Sequence, residues 1–161
     1  MPRVDPTAAI RGFIAKFDPK VARQIRACRG AVRKLMPTAI ELVYDNYNFL
    51  VFGFCSTERA SDCIVSLACS ARGVSLCFIY GARLPDPDGI LQGGGNQTRF
   101  VRLDGPATLK GRAVAKAVRA AIAYGSTPLP VGRKGYTVVK SVSAKQRPRR
   151  DAKLDLPKRR T

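Results

Sequence analysis

Three stretches of the chain carry residues that could do chemistry. The first is GILQGGGNQTRF, residues 89 to 100, with three consecutive glycines beside a cation. Successive N–H groups in such a run can form a nest for an anion. A phosphate loop of the Walker type needs Lys-Ser or Lys-Thr and then a helix, and neither follows Gly93, Gly94 or Gly95. A dinucleotide fingerprint needs glycine where Thr98 stands, and again a helix. The next run, TRFVRL, has strand character, so no helix N-terminus is present to receive a phosphate. Two readings remain: a weaker anion site at Gly94 aided by Arg99 or Arg102, and a flexible turn that delivers a strand.

The second stretch is YDNYN, where Tyr44, Asp45 and Tyr47 stand among Asn46 and Asn48. Aromatics beside amide and carboxylate groups can line a small-ligand pocket. The competing reading is a hairpin turn over residues 46 to 48 with two packed tyrosines. The third is LPDPDG. Asp86 and Asp88 could pair as acids or hold a cation, but an EF-hand needs more acids and a distal Glu. Pro85, Pro87 and Gly89 supply turn chemistry instead. Glu58, Arg59 and Asp62 in TERASD read as a local salt-bridged turn.

The chain has no histidine. That removes Ser-His-Asp and Cys-His nucleophilic systems, His-ligated metals and the usual general base near neutral pH. Carboxylate or lysine chemistry stays open, with nothing pointing to it. The five cysteines, Cys28, Cys55, Cys63, Cys69 and Cys77, form no C-x-x-C pair. Paired spacings are what a Cys-only zinc site requires. Free, packed thiols are therefore expected, and neither a cofactor nor a metal is.

Charge is the strongest signal. The formal net charge is +18 over 161 residues. Such an excess favours polyanionic partners: nucleic acid, an anionic surface or an acidic protein. Lys20, Arg23, Arg26, Arg29, Arg33 and Lys34 lie opposite the apolar stripe of one predicted helix, with no acid among them. Like charges on neighbouring turns repel by a few tenths of a kcal/mol for each pair (roughly). The face reads either as an anion-binding surface or as a solvated one. Residues 131 to 161 carry eleven Lys or Arg and two Asp, +9 of the total. Lys145, Arg147, Arg149 and Arg150, then Lys158, Arg159 and Arg160, are spaced to meet a phosphate backbone. No aromatic accompanies them for base stacking, so sequence-specific readout is not expected.

These residues need elements to position them. Asp5-Pro6 and Asp18-Pro19 each open a helical pattern, Asp as cap and Pro at the first helical position. The first helix is expected over about residues 6 to 17, with Ile10, Phe13, Ile14 and Phe17 inward. The second is expected over about 19 to 35, with Val21, Ile25, Cys28, Val32 and Leu35 inward. ELVYDN, NFLVFGFC, CIVSLACS, GVSLCFIYG and TRFVRL read as strands. Arg72-Gly73 reads as a hairpin turn. A last helix is expected over about 108 to 124, capped by Thr108, with Val114, Ala117, Val118, Ala121 and Ile122 inward. GYTVVKSVS could add one more strand. The fold class is α+β: a two-layer sandwich, with an antiparallel sheet of five to six strands and the N-terminal and C-terminal helices packed on it. Residues 1–143 form one domain, and 144–161 a flexible basic tail.

PTAIELVYDNYNFLVFGF, TERASDCIVSLA, GVSLCFIYGARLPDPDGIL and GGGNQTRFVRL, in this order, resemble the YdhG-like proteins, the family called domain of unknown function 1801. The resemblance covers about residues 20 to 124. It implies a small α/β sandwich broadly comparable with frataxin, and no settled activity or catalytic set. The frataxin comparison raises iron binding. An iron surface wants clustered oxygen ligands, whereas the acids here are scattered as Glu41 and Asp45, Glu58 and Asp62, Asp86 and Asp88, and the second helix is basic.

The reading that follows is a non-enzymatic binding domain, associating with nucleic acid or another polyanion through the basic helix face and tail. The alternatives are a small-molecule protein or enzyme, with a pocket at Tyr44, Asp45, Tyr47, Gly94 and Arg99, and a frataxin-like iron binder. No signal peptide or membrane span is visible, so a cytoplasmic location is expected. Apolar residues at the outward strand positions Ile64, Ala68, Cys77 and Ile79 leave monomer and homodimer both open.

Overall fold

The computed structural model describes residues 5–151. The expected tail residues Lys158, Arg159 and Arg160 lie outside that range. Two helices come first, α1 (Pro6–Ala15) and α2 (Pro19–Leu35). Their starts are as the sequence dictates. The Asp5 carboxylate accepts from the Thr7 N–H, and the Asp18 carboxylate from the Lys20 N–H, both at 3.0 Å. Each Asp thus satisfies an N–H that the helix itself leaves open.

Five strands follow as an up-and-down meander: β1 (Ile40–Asp45), β2 (Leu50–Cys55), β3 (Cys63–Ser70), β4 (Gly73–Phe78) and β5 (Arg99–Leu103). Neighbours in this meander pair antiparallel. The tight β3–β4 turn ends on Gly73, whose φ of 124° suits glycine. Then come α3 (Arg112–Tyr124) and β6 (Thr137–Val142). The final strand departs from the expected sheet. It pairs parallel with β1, on the side away from β2, so the order is β5-β4-β3-β2-β1-β6 and the sheet is mixed. Period-two alternation is the same in either direction, so the sequence pattern does not reveal strand direction. Parallel pairing needs a long crossover, and everything between β1 and β6 supplies it. Gly135 lets the chain reach that edge. Its N–H donates to the Pro37 carbonyl at 3.0 Å, and a β-carbon there would run into the Ala39 carbonyl oxygen.

The three helices pack on one face of the sheet. That face is built from alternate residues: Val43; Leu50, Phe52 and Phe54; Val65, Leu67 and Cys69; Val74, Leu76 and Phe78; Val101 and Leu103. Ile10, Phe13, Ile14 and Phe17 meet them from above, together with Ile25, Cys28 and Val32 of α2. Details of the stripes differ from expectation. Leu35 is 46 % exposed and Met36 is buried in its place, because the backbone leaves the helix there. Thr108 caps nothing: residues 106 to 110 form a 3₁₀ turn, and α3 starts after Gly111 without a side-chain cap. Ile64 is not outward. A bulge opposite Phe54 and Cys55 turns it into the main core.

The opposite face of the sheet carries a small apolar cluster, Ile40, Leu42, Cys55 and Cys63, with Tyr44, Ile79 and Val138 against it. No helix among the described residues is long and apolar enough to cross a membrane.

Candidate functional site

The inward side of β1 reads Glu41, Val43, Asp45, two acids on a buried face. Each is answered by at least one cation, from the helices or from the segment after β6. Arg29 of α2 grips Glu41 with two parallel bonds, 2.8 Å from Nε and 2.6 Å from Nη2, and Thr137 of β6 adds a third at 2.8 Å. The same guanidinium lies 5.2 Å from the centre of the Phe52 ring. Asp45, fully buried, receives Lys16 Nζ at 2.6 Å and Arg149 Nη2 at 3.0 Å. Burial pushes the Asp45 carboxyl up, but bonds from Lys16, Gln146 and Arg149 outweigh it and hold the group below its usual range.

Arg29 anchors α2 to the sheet through Glu41 and also lines a groove beside α1. One expected anion-binding residue is removed from the surface. Arg149 is 4 % exposed, tied to Asp45 and to the Asn46 carbonyl, and set over the Phe17 ring. Residues 143 to 149 are also not loose. The Ser143 N–H donates to Asp45 O and the Arg147 N–H to Tyr47 O, both at 2.8 Å, and Gln146 Nε2 donates to Asp45 O at 3.0 Å. This segment straps the tip of the β1–β2 hairpin.

The remaining cations of α2 are exposed, and part of them form a groove. Arg26 and Arg33, with the Glu41-bound Arg29, line a groove of about 440 Å³ together with Arg11 of α1 and with Tyr136 and Thr137. No acid among the described residues lines it. Among the described residues, Arg11, Arg26 and Arg33 form no ion pair. A hollow of about 250 Å³ beside it adds Lys34 and Lys134, with the Arg29-bound Glu41 in its wall. Lys20 and Arg23 are exposed but do not line the groove, and Arg150 is exposed at the far end of the strap. Arg11 and Lys134 escaped the sequence reading, since only the packing of α1 and of the segment before β6 brings them beside α2.

The expected ligand pocket is dispersed. Asp45 faces the helix layer and Tyr44 the opposite face, where its hydroxyl is buried without a partner. Tyr47 sits exposed in the hairpin turn, closed by the Asn46 N–H to Phe49 O bond at 2.9 Å. Gly94 and Arg99 are at the β5 edge, four strand positions from β1, about 19 Å away. The triple glycine is a turn. Gln92 and Phe100 close it by exchanging two backbone bonds, and Gly93 and Gly95 take positive φ. Arg99 gives its guanidinium to the carbonyls of Gly94, Gly95 and Thr98. An anion nest needs N–H groups converging; here carbonyls converge on a cation, so the nest reading fails.

The other acids serve turns. Asp86 accepts from the N–H groups of Ile90 and Leu91. Asp62 accepts from Thr57 at 2.6 Å and from Arg59 at 3.0 Å, while Glu58 bonds Tyr136 rather than Arg59. The Thr57 bond is the main influence holding the Asp62 carboxyl low, against burial and with help from Arg59 and Thr127. Asp62 also borders a hollow of about 250 Å³ below the end of α3, between Tyr80 and Tyr124. Among the described residues no group of three or more Cys, Asp or Glu stands together as metal ligands. All five cysteines are free. Burial raises the thiols of Cys28, Cys69 and Cys77, the last to about 11, and a bond with Cys55 followed by burial raises Cys63. None of these four is a thiolate near neutral pH.

Comparison with family models, with curated proteins and with solved structures finds no match to the chain.

Proposed function

We propose that this chain is a non-enzymatic binding domain for a polyanion, nucleic acid first, held at the groove between α1 and α2. One observation carries the reading: Arg11, Arg26 and Arg33 converge on a groove that no acid among the described residues lines. Side-chain packing leaves these cations unneutralised, so their field acts outward. Contact is with the phosphate backbone and therefore indifferent to sequence. The kinship with YdhG-like proteins and a cytoplasmic setting belong to the same proposal.

Titration of a labelled DNA duplex at rising salt tests it. Each phosphate neutralised contributes about −0.9 to the log–log slope of affinity against salt. Arg26→Glu combined with Arg33→Glu is expected to weaken binding at least tenfold (roughly) and to flatten the slope by about two. Absence of measurable binding to duplex or single strand at low salt removes the proposal.

A further inference from the structure

The face of the sheet opposite the helices holds a second basic region. Near the tips of the β1–β2 and β3–β4 hairpins lies a trough of about 570 Å³. Its floor is small: Ala68 and Ser70 of β3, Ser75 and Cys77 of β4. An aromatic stands at each side. Phe49, just ahead of β2, is 43 % exposed, and Phe100 of β5 is half-buried. Their chain neighbours Leu50 and Val101 are in the core, so both rings belong to the helix-free face. Three strand spacings across the sheet and four residues along it separate them, about 19 Å.

Arg72, Arg102 and Arg147 join the lining, and among the described residues no acid does. Arg102 donates to the Arg72 carbonyl, and Arg147 lies 5.8 Å from the centre of the Tyr47 ring. Both contacts orient a guanidinium without cancelling its charge. Among the described residues none of the three forms an ion pair.

We infer that this trough is a binding site for single-stranded nucleic acid, with Phe49 and Phe100 stacking on bases and Arg72, Arg102 and Arg147 holding phosphates. The chemistry selects the occupant. A shallow floor of small side chains between two rings admits flat groups edge to edge. Only unpaired bases offer a free π-face; in a duplex both faces are covered. Stacking platforms inside a cationic groove are the general means of holding single strands. The strap over residues 143 to 149 contributes Arg147 to the rim, which gives the folded part of the basic C-terminal segment a task. The inference rests on the polyanion reading but uses the other side of the molecule from the α1–α2 groove.

The chain has no tryptophan, so Phe49→Trp places one fluorophore in the trough. Oligomers of dT and rU of about twelve nucleotides, the matching duplex and poly-glutamate are titrated against the full-length chain. Quenching by both single strands, with duplex and poly-glutamate at least tenfold weaker, is expected. Phe49→Ala, at an exposed position, is expected to weaken single-strand binding on the order of tenfold. Phe100→Leu, which keeps an apolar side chain but removes the ring, is expected to do likewise. Equal affinity for single strand, duplex and poly-glutamate overturns the inference. So does single-strand binding lost with Arg26→Glu and Arg33→Glu but indifferent to both Phe variants; that result leaves the groove reading standing. Loss with the Phe variants alone does the reverse, and no binding of any nucleic acid removes both. A dimer that the Phe variants dissociate, without single-strand binding, makes the face a self-interface instead.

Discussion

Two arginine-bearing regions of this molecule look alike in sequence and behave oppositely in space. At the corner where β1 ends, Arg149 is buried against Phe17 and shares Asp45 with Lys16. In the α1–α2 groove, Arg11, Arg26 and Arg33 stand exposed, and no acid among the described residues lines that groove. The first region spends its charge inside the protein, where an ion pair fixes which segments meet. The second leaves its charge for a partner. Buried acids decide which is which. Glu41 and Asp45 take up Arg29, Lys16 and Arg149, and the cations beyond their reach keep an outward field.

The sharpest way to break this contrast is Asp45→Ala. It leaves Arg149 as a buried cation with no acid beside it. Removing one member of a buried pair costs about 3–5 kcal/mol. A fall in Tm of roughly 10 °C is expected for a chain of this size. An unchanged melt shows that the corner is not structural.

Next comes Arg149→Ala. Asp45 keeps Lys16, so the loss is smaller, about 2 kcal/mol. Arg149 already has two buried nitrogens without partners, Nε and Nη1, which lowers its net contribution further. The salt slope of duplex binding is expected to stay at the wild-type value, because this guanidinium never meets solvent. A flatter slope puts Arg149 back among the anion-binding residues.

Acid titration sharpens the same point. The Asp45 carboxyl is held below its ordinary value of 3.8 in the folded chain. Its contribution is complete above that value and is lost as pH falls through the lower folded one. Stability measured by urea unfolding should therefore drop below about pH 4, and less steeply in Asp45→Asn. Identical acid limbs in the two proteins contradict the assignment.

The smallest expected effect is at the groove. Arg26→Ala removes an exposed, unpaired cation, so stability changes by no more than about 0.5 kcal/mol. The log–log salt slope is expected to shrink by about 0.9. A large loss of stability with no change in slope turns the groove into scaffold.

Much of the framework was legible. The Asp-Pro pairs placed both helix starts to the residue, because capping is a local bond between neighbours. The inward stripe Ile25, Cys28, Val32 followed from the helical repeat, and Val74, Leu76, Phe78 from strand alternation. What was lost depended on distant segments. Leu35 continued the repeat, but the chain had already left the helix. Ile64 fitted an outward position until a bulge moved it. β6 alternated properly without revealing that it runs parallel to β1. The pocket drawn around YDNYN and the glycine turn joined residues that sit on opposite sheet faces and at distant strands. For Phe49 and Phe100 a signal existed, aromatics at strand ends near arginines, but nothing local says which face helices leave open.

By itself, then, the sequence determined the elements, the α+β class, the lack of histidine chemistry and the sign of the field. Those follow from composition and from interactions a few residues apart. Only the tertiary structure decided which arginines are held inside by Glu41 and Asp45 and which face outward. It also brought Arg11 beside Arg26 and set two phenylalanines across a bare sheet face. A charge is neutralised by what lies next to it in space, and in this chain such neighbours stand as far apart along the backbone as Asp45 and Arg149, 104 positions.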